Sequence, residues 1–412
     1  MAPSDFSPHP PGTSPPPRSP RALLALAVVF VLLATGGWTT LRHPRETPAL
    51  QASVAAWEEG RIAGRRLPSL GVGPARIARF LASLTESRRV SLAHRYPLAV
   101  GNMDGAPPAL RYLANRLALR EAAEAERHRT RDARLSPAGR AQAERRLRRY
   151  TRLARPERSV LAFDPAGSGR VAEVFGDLGT AERVSVVVPG VDSDLLTYER
   201  TDRPHSAPAG MARALYRAER ALAPDSRTAV IAWADYTAPR GLGVGAATGA
   251  LAARGAPRLE ELVRSLPGSA PVSLFCHSYG SVVCGVAAPD LPKRVGDIVV
   301  AGSPGMRAEN ASGLRTSARV WATRDADDWI ESVPHLEVGG LGHGADPVSA
   351  AFGARVLSAE GADGHSGYFA PGTESLDNFA RIGVGAYREV DCAPAARDCR
   401  ADLPSASTAE PD

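Results

Sequence analysis

Lysine is nearly missing from this chain. Of 50 basic residues, Lys293 is the single lysine, and the net charge of +6 is carried by arginine. Much of that surplus lies between Arg111 and Arg158. Aromatic residues are also scarce, at 6% of the chain, and they do not alternate with the basic residues of that stretch. With no nucleic-acid motif beside them, these arginines do not read as a nucleic-acid face. Acidic residues are interspersed, and Glu144 with Arg148 has the i,i+4 spacing of a solvated helix. No His, Cys and Asp cluster has metal-ligand spacing, so no metal is expected. Gly167-x-Gly169 and the Gly241–Gly249 cluster lack the strand-to-helix context of a phosphate or dinucleotide loop, so no cofactor is expected either. No internal repeat is visible. Cysteines number only 4. Cys392 and Cys399 flank a short polar loop and are compatible with a bridge worth about 2 kcal/mol. Cys276 and Cys284 read as small buried residues.

What is present is the composition of a globular protein, with 44% apolar and 23% charged residues in 412 positions. That length suits one large or two ordinary domains. Residues 1–21 are rich in proline and serine and are expected to form a disordered cytoplasmic tail. An uncharged run from Ala22 to Trp38 follows two arginines. As a helix it would span about 25 Å, near the lower limit for crossing a bilayer. Residues 22–41 therefore read as a transmembrane anchor, with a secretory signal as the competing reading. The lack of a clean small-x-small cleavage site favours the anchor. Either reading places the chain after about residue 44 outside the cytoplasm.

Residues 44–157 read as helical, with segments at Leu50–Arg66, Pro74–Arg89, Pro107–His128 and Ser136–Leu153. The pattern changes near Arg158. From there to about residue 390, short apolar runs alternate with helical stretches, the signature of an α/β sheet. Strands are predicted at Ser159–Phe163, Arg170–Phe175, Val184–Val188, Thr228–Trp233, Val272–Cys276, Asp297–Ala301, Ala318–Ala322 and Arg355–Leu357. Helices are predicted at Ala207–Ala223, Gly243–Leu266, Tyr279–Ala288 and Ser375–Tyr387. Residues 391–412 form a tail.

The most informative stretch is Cys276-His277-Ser278-Tyr279-Gly280-Ser281, between an apolar strand and a run of small apolar residues. Strand, sharp turn and helix would lift the Ser278 hydroxyl to the carboxyl edge of a sheet. The residues two before and two after the serine must be small, because strand and helix converge there; Gly280 meets this fully and Cys276 less well. A serine hydroxyl is a weak nucleophile and needs a base, which needs an orienting acid. Behind such an elbow the chain order is serine, acid, histidine. Asp328 is the first choice of acid, Asp325 the competitor and Asp327 the third. His365, on a loop after the last strand and before the final helix, is the base, with His343 as alternative. His277 adjoins the serine, so its side chain is expected to point away from it. For the oxyanion, the backbone N–H of Tyr279 and that of Val191 are the candidate donors, with Gly190 allowing close approach.

Several ordered motifs strengthen this reading. They are Val100-Gly101-Asn102-Met103-Asp104-Gly105-Ala106-Pro107 with Arg111 and Asn115, Val188-Pro189-Gly190, and Ala232-Trp233-Ala234-Asp235-Tyr236. Further along come Gly302-Ser303-Pro304-Gly305, His343-Gly344-Ala345-Asp346-Pro347, Phe352-Gly353-Ala354 and Gly364-His365-Ser366-Gly367-Tyr368-Phe369. Over roughly residues 97–387 the chain resembles an α/β-hydrolase family common in high-GC Gram-positive bacteria, once catalogued as of unknown function. The resemblance implies an α/β-hydrolase fold with a mostly parallel central sheet. It also implies Ser278 as nucleophile, His365 as base and an acid among Asp325–Asp328. Cys276 and Asp235 depart from the family, which usually has glycine at both places. The implied activity is that of a serine hydrolase acting on an ester, a lipid or acyl ester among the candidates, through an acyl-enzyme. An amidase or peptidase of the same fold, and a catalytically silent binding module, are the rivals. A weaker one treats the arginine-rich helix as a dock for anionic lipid or polymer.

Overall fold

The computed structural model describes residues 48–394, 396 and 399–403. All eight predicted strands form, and they assemble into one eight-stranded sheet. We label them β1 (Ser159–Asp164), β2 (Arg170–Gly176), β3 (Arg183–Val188), β4 (Thr228–Ala234), β5 (Val272–His277), β6 (Val295–Ala301), β7 (Arg319–Thr323) and β8 (Arg355–Val356). Their order across the sheet is β8-β7-β6-β5-β3-β4-β2-β1. Only β2 runs against the others. Strands β3, β4 and β5 are buried along nearly their whole length, which is why they read as continuous apolar runs rather than alternating ones. Two apolar layers cover the faces. One packs around Phe163, Phe275, Trp321 and Phe379, the other around Trp233, Leu259, Leu274 and Val282.

The N-terminal region is helical, but not as drawn from the sequence. The predicted segment Leu50–Arg66 forms a helix only over Ala49–Glu58. It then turns through a two-stranded hairpin at Ala63 and Gly64, both at positive φ. The segment Pro74–Arg89 stops at Ala82, and a new helix, Glu86–Arg95, begins behind Thr85. The Thr85 hydroxyl accepts from the Arg88 N–H at 3.4 Å, a local cap that outweighs the amphipathic pattern. Two long helices, α1 (Pro108–Thr130) and α2 (Pro137–Leu153), pack against each other, and α1 lies along β1.

That contact explains the first of the sequence motifs. β1 is an edge strand with unpaired backbone groups. The Asn102 side chain both donates to Phe163 O (2.8 Å) and accepts from Phe163 N (3.1 Å). Asn115 donates to Val160 O at 3.0 Å and Arg111 to Leu161 O at 3.0 Å. Side chains thus take the place of a further strand, and this motif seals the sheet edge.

The expected localisation is corrected. The predicted tail at 1–21 and anchor at 22–41 lie outside the described residues, as does most of the C-terminal tail. Among the described residues no helix is long and apolar enough to cross a membrane. The single-pass membrane placement read from the N-terminal segment falls with that finding.

Candidate active site

Strand β5 ends at His277, and helix α3 (Tyr279–Ala287) starts one residue after Ser278. Ser278 sits between them at φ 55 and ψ −127, a conformation that side-chain-bearing residues rarely adopt. The turn is tight on both sides. A Cβ at Gly280 would lie 2.2 Å from Val188 O, and one at Gly190 would lie 2.6 Å from the Ser278 Cβ. Both positions therefore need glycine.

Cys276 and Cys284 correct the sequence reading. They are not two free buried residues but a disulfide, with Cα atoms 6.5 Å apart, joining the end of β5 to the middle of α3. A strand end and the helix that doubles back beside it bring residues eight apart into bridging range, a proximity the linear spacing does not reveal. Cys392 and Cys399 also pair.

The Ser278 hydroxyl lies 2.9 Å from His365 Nε2. The other ring nitrogen, Nδ1, is 2.8 and 3.0 Å from the two oxygens of Asp328. A carboxylate can only accept, so Nδ1 carries the proton toward Asp328 and Nε2 is left to accept from the serine. Asp328 Oδ1 also accepts from the Ile330 N–H at 2.9 Å, and Oδ2 from the Tyr368 hydroxyl at 2.5 Å. Burial alone would push the Asp328 carboxyl up. The hydrogen bonds from His365 and Tyr368 outweigh that and hold it below the usual carboxylate value.

The other candidates fall elsewhere. Asp325 does not reach the imidazole; its Oδ2 accepts from the Gly364 and Asp327 N–H groups, both at 3.1 Å. It braces the acid loop against the loop that carries His365. Asp327 is exposed. His343 is buried with Nε2 against the Ala246 carbonyl at 2.7 Å and its ring edge-on to Tyr279. His277 does point away from Ser278, and it has a partner: its Nε2–H donates to the His365 carbonyl at 2.7 Å. Burial, with His365 beside it, lowers its pKa to about 3, so the ring is neutral.

Tyr279 opens α3, where a backbone N–H has no intrahelical acceptor, and neither it nor Val191 donates to a backbone carbonyl among the described residues. Asp235, one of the two departures from the family pattern, is taken up by Arg258, whose Nη2 lies 2.7 and 2.8 Å from its oxygens.

Sequence reasoning passed over three neighbours of this site. Gly302 has φ 55, and a Cβ there would lie 2.8 Å from Asp328 Oδ2 and 3.0 Å from His365 Nδ1. Tyr368 stands in the sequence only as part of the Gly364–Phe369 motif, and no motif points to Trp329. The Trp329 ring lies 4.7 Å from the His365 ring, centre to centre, and stays 43% exposed. The only available signal for Gly302 and Tyr368 was their place in the motifs Gly302–Gly305 and Gly364–Phe369.

Residues 164–338 match a family model described as alpha/beta hydrolase, a range that contains Ser278 and Asp328 but ends before His365. No curated protein matches the chain. Among solved structures, 2,6-dihydroxy-pseudo-oxynicotine hydrolase is similar at 11% identity, over 75% of this chain and 96% of that one, with a TM-score of 0.37. A predicted CIB-like hydrolase from Thermoplasma acidophilum is 13% identical over 56% of this chain and 97% of its own, with a TM-score of 0.33. A serine hydrolase without lid from Xanthomonas campestris is 14% identical over 58% and 98%, with a TM-score of 0.34. Scores this low carry no argument about function. Residues 164–338, which hold most of the sheet and the elbow described above, form an alpha/beta hydrolase domain.

Proposed function

We propose that the chain hydrolyses carboxylic esters with apolar acyl groups through an acyl-enzyme on Ser278. The observation that carries this reading is the unbroken hydrogen-bonded series from Asp328 through His365 to Ser278. In the reaction, the Ser278 oxygen bonds to the ester carbonyl carbon while His365 Nε2 takes the hydroxyl proton. The carbonyl oxygen becomes an oxyanion facing the N–H groups of Tyr279 and Val191. Collapse breaks the bond to the alkoxy group, which leaves with the proton from His365. A water molecule then repeats the sequence and releases the acid. Asp328 keeps the imidazole in the required tautomer and balances its charge.

The choice of apolar acyl groups rests on the surroundings. Of the seven large apolar side chains exposed among the described residues, six lie on two neighbouring segments. Trp329, Leu336, Val338 and Leu341 belong to the stretch that follows Asp328, and Leu242 and Val244 to the loop before Ala250. The segments are tied together where Thr248 bridges Leu341 and where His343 bonds to Ala246. Both meet at Tyr279, whose hydroxyl donates to Thr248 O at 2.7 Å and whose ring packs on His343. Trp329, whose ring lies 4.7 Å from that of His365, brings one end of this apolar surface to the proposed base.

The test is labelling of the purified chain with a fluorophosphonate probe beside Ser278→Ala, together with p-nitrophenyl esters of increasing acyl length. Labelling lost in the variant, and kcat/KM rising from acetyl to octanoyl, is the expected result. Labelling that survives in Ser278→Ala sinks the nucleophile assignment, and a flat or falling length series sinks the acyl preference.

A further inference from the structure

We infer that Tyr368 is a positioning residue that sets how strongly Asp328 supports the protonated base, an inference that rests on the reading of Ser278, His365 and Asp328 given above. The Tyr368 hydroxyl donates to Asp328 Oδ2 at 2.5 Å, while the same hydroxyl accepts from the Asp325 N–H at 3.0 Å. Its ring is fully buried, so water cannot stand in for the phenol. Burial and the adjacent carboxylate both push its ionisation well above the ordinary value, which keeps it a neutral donor. Asp328 therefore accepts from three sources: the imidazole, the Ile330 N–H on Oδ1 and the phenol on Oδ2.

The consequence follows from charge sharing. A donor on Oδ2 withdraws part of the negative charge that Asp328 would otherwise place against the imidazolium. Tyr368 thus moderates the hold of the acid on the proton, so that His365 returns it more readily to the leaving group. Around His365 the ionisable groups are few. His277 contacts its ring and backbone but stays neutral, Asp325 holds the Gly364 N–H, and Asp327 is exposed. Ser278 and Trp329 complete the shell without charge. Among the described residues no other hydrogen-bonded or paired group at His365 offsets a change in Asp328. The chain also joins the two parts covalently, since Tyr368 lies three residues after His365. One short loop delivers the base and the group that tunes its acid.

The experiment compares pH profiles of kcat/KM for p-nitrophenyl acetate, and of the rate of fluorophosphonate labelling, in the native chain and in Tyr368→Phe. Removing the donor leaves more charge on Asp328, favours the protonated imidazole, and moves the acid limb of both profiles to higher pH by roughly half a unit. Replacing Tyr368 with 3-fluorotyrosine keeps the shape but makes the phenol a stronger donor, so the limb moves the opposite way. In an Asp328→Asn background, measured by labelling, the Tyr368→Phe shift disappears. Loss of rate with no displacement of the limb in either variant means a packing role only and overturns the inference. So does a shift that persists without Asp328. A native chain that neither labels nor turns over the ester overturns the reading of the site itself, and this inference with it.

Discussion

At the scale of single residues, three aspartates within four positions illustrate how little a local sequence says about roles. Asp325, Asp327 and Asp328 share composition and neighbourhood, yet only Asp328 faces the imidazole. Asp328 is the residue that caps the short helical turn Trp329–Ser332, its Oδ1 accepting from the Ile330 N–H, and it is buried where Asp327 is exposed. On the proposed mechanism, Asp328→Asn forces the wrong histidine tautomer and lowers kcat about ten-thousand-fold. Asp325→Asn retains an oxygen for the Gly364 N–H and costs far less. Steady-state kinetics of the two variants decide between them, and a larger loss in Asp325→Asn moves the acid role to that residue.

At the scale of elements, the elbow is held by more than its own turn. The Cys276–Cys284 bridge ties β5 to α3 across the strained serine, and Ser281 adds a hydrogen bond to Cys276 O at 3.2 Å. The bridge spans a small loop, for which chain entropy gives about 2 kcal/mol. The paired variant Cys276→Ser and Cys284→Ser is expected to unfold at lower denaturant by that amount, with labelling of Ser278 slowed because the helix is no longer pinned. Unchanged stability on chemical denaturation would falsify the view that the bridge braces the elbow. The family resemblance has glycine where Cys276 stands, and a bridged cysteine satisfies the same demand for a side chain kept out of the turn. Elsewhere, local capping redrew the elements. Thr85 starts a helix inside a longer amphipathic pattern, and Thr248 pairs with Leu341 where an unbroken helix from Gly243 to Leu266 was predicted.

At the scale of the whole molecule, a buried carboxyl beneath the sheet couples stability to pH. Glu219 is fully buried against β3, where it accepts from the Ser185 hydroxyl. Burial pushes its carboxyl up to about 8, only partly offset by the hydrogen bond from Ser185. In the unfolded chain it ionises at the ordinary carboxylate value, well below that. Its contribution is therefore fully present at acid pH and is lost progressively as pH rises to about 8. Glu219→Gln keeps the shape and cannot ionise. Thermal unfolding at a series of pH values is expected to show the native chain losing stability relative to this variant between pH 5 and about 8. A difference that does not change across that window refutes the coupling.

The eight strands and the elbow were legible in the sequence, because apolar runs and small residues at a sharp turn are local signals, and the residues singled out there, Ser278, Asp328 and His365, do meet in one hydrogen-bonded series. The pairing of Cys392 with Cys399, seven apart across a short loop, was compatible with the sequence but left open by it, and the structure forms it. What only the tertiary structure decided depends on chain segments meeting from afar. The sheet edge sealed by Asn102, Arg111 and Asn115 joins residues 45 to 61 apart. The phenol of Tyr368 meets Asp328 across 40 residues, and Gly302 leaves the room in which Asp328 and His365 converge. Strand runs and turns are encoded by neighbours in sequence, whereas a buried donor acquires its partner only when the sheet has brought two loops to one edge.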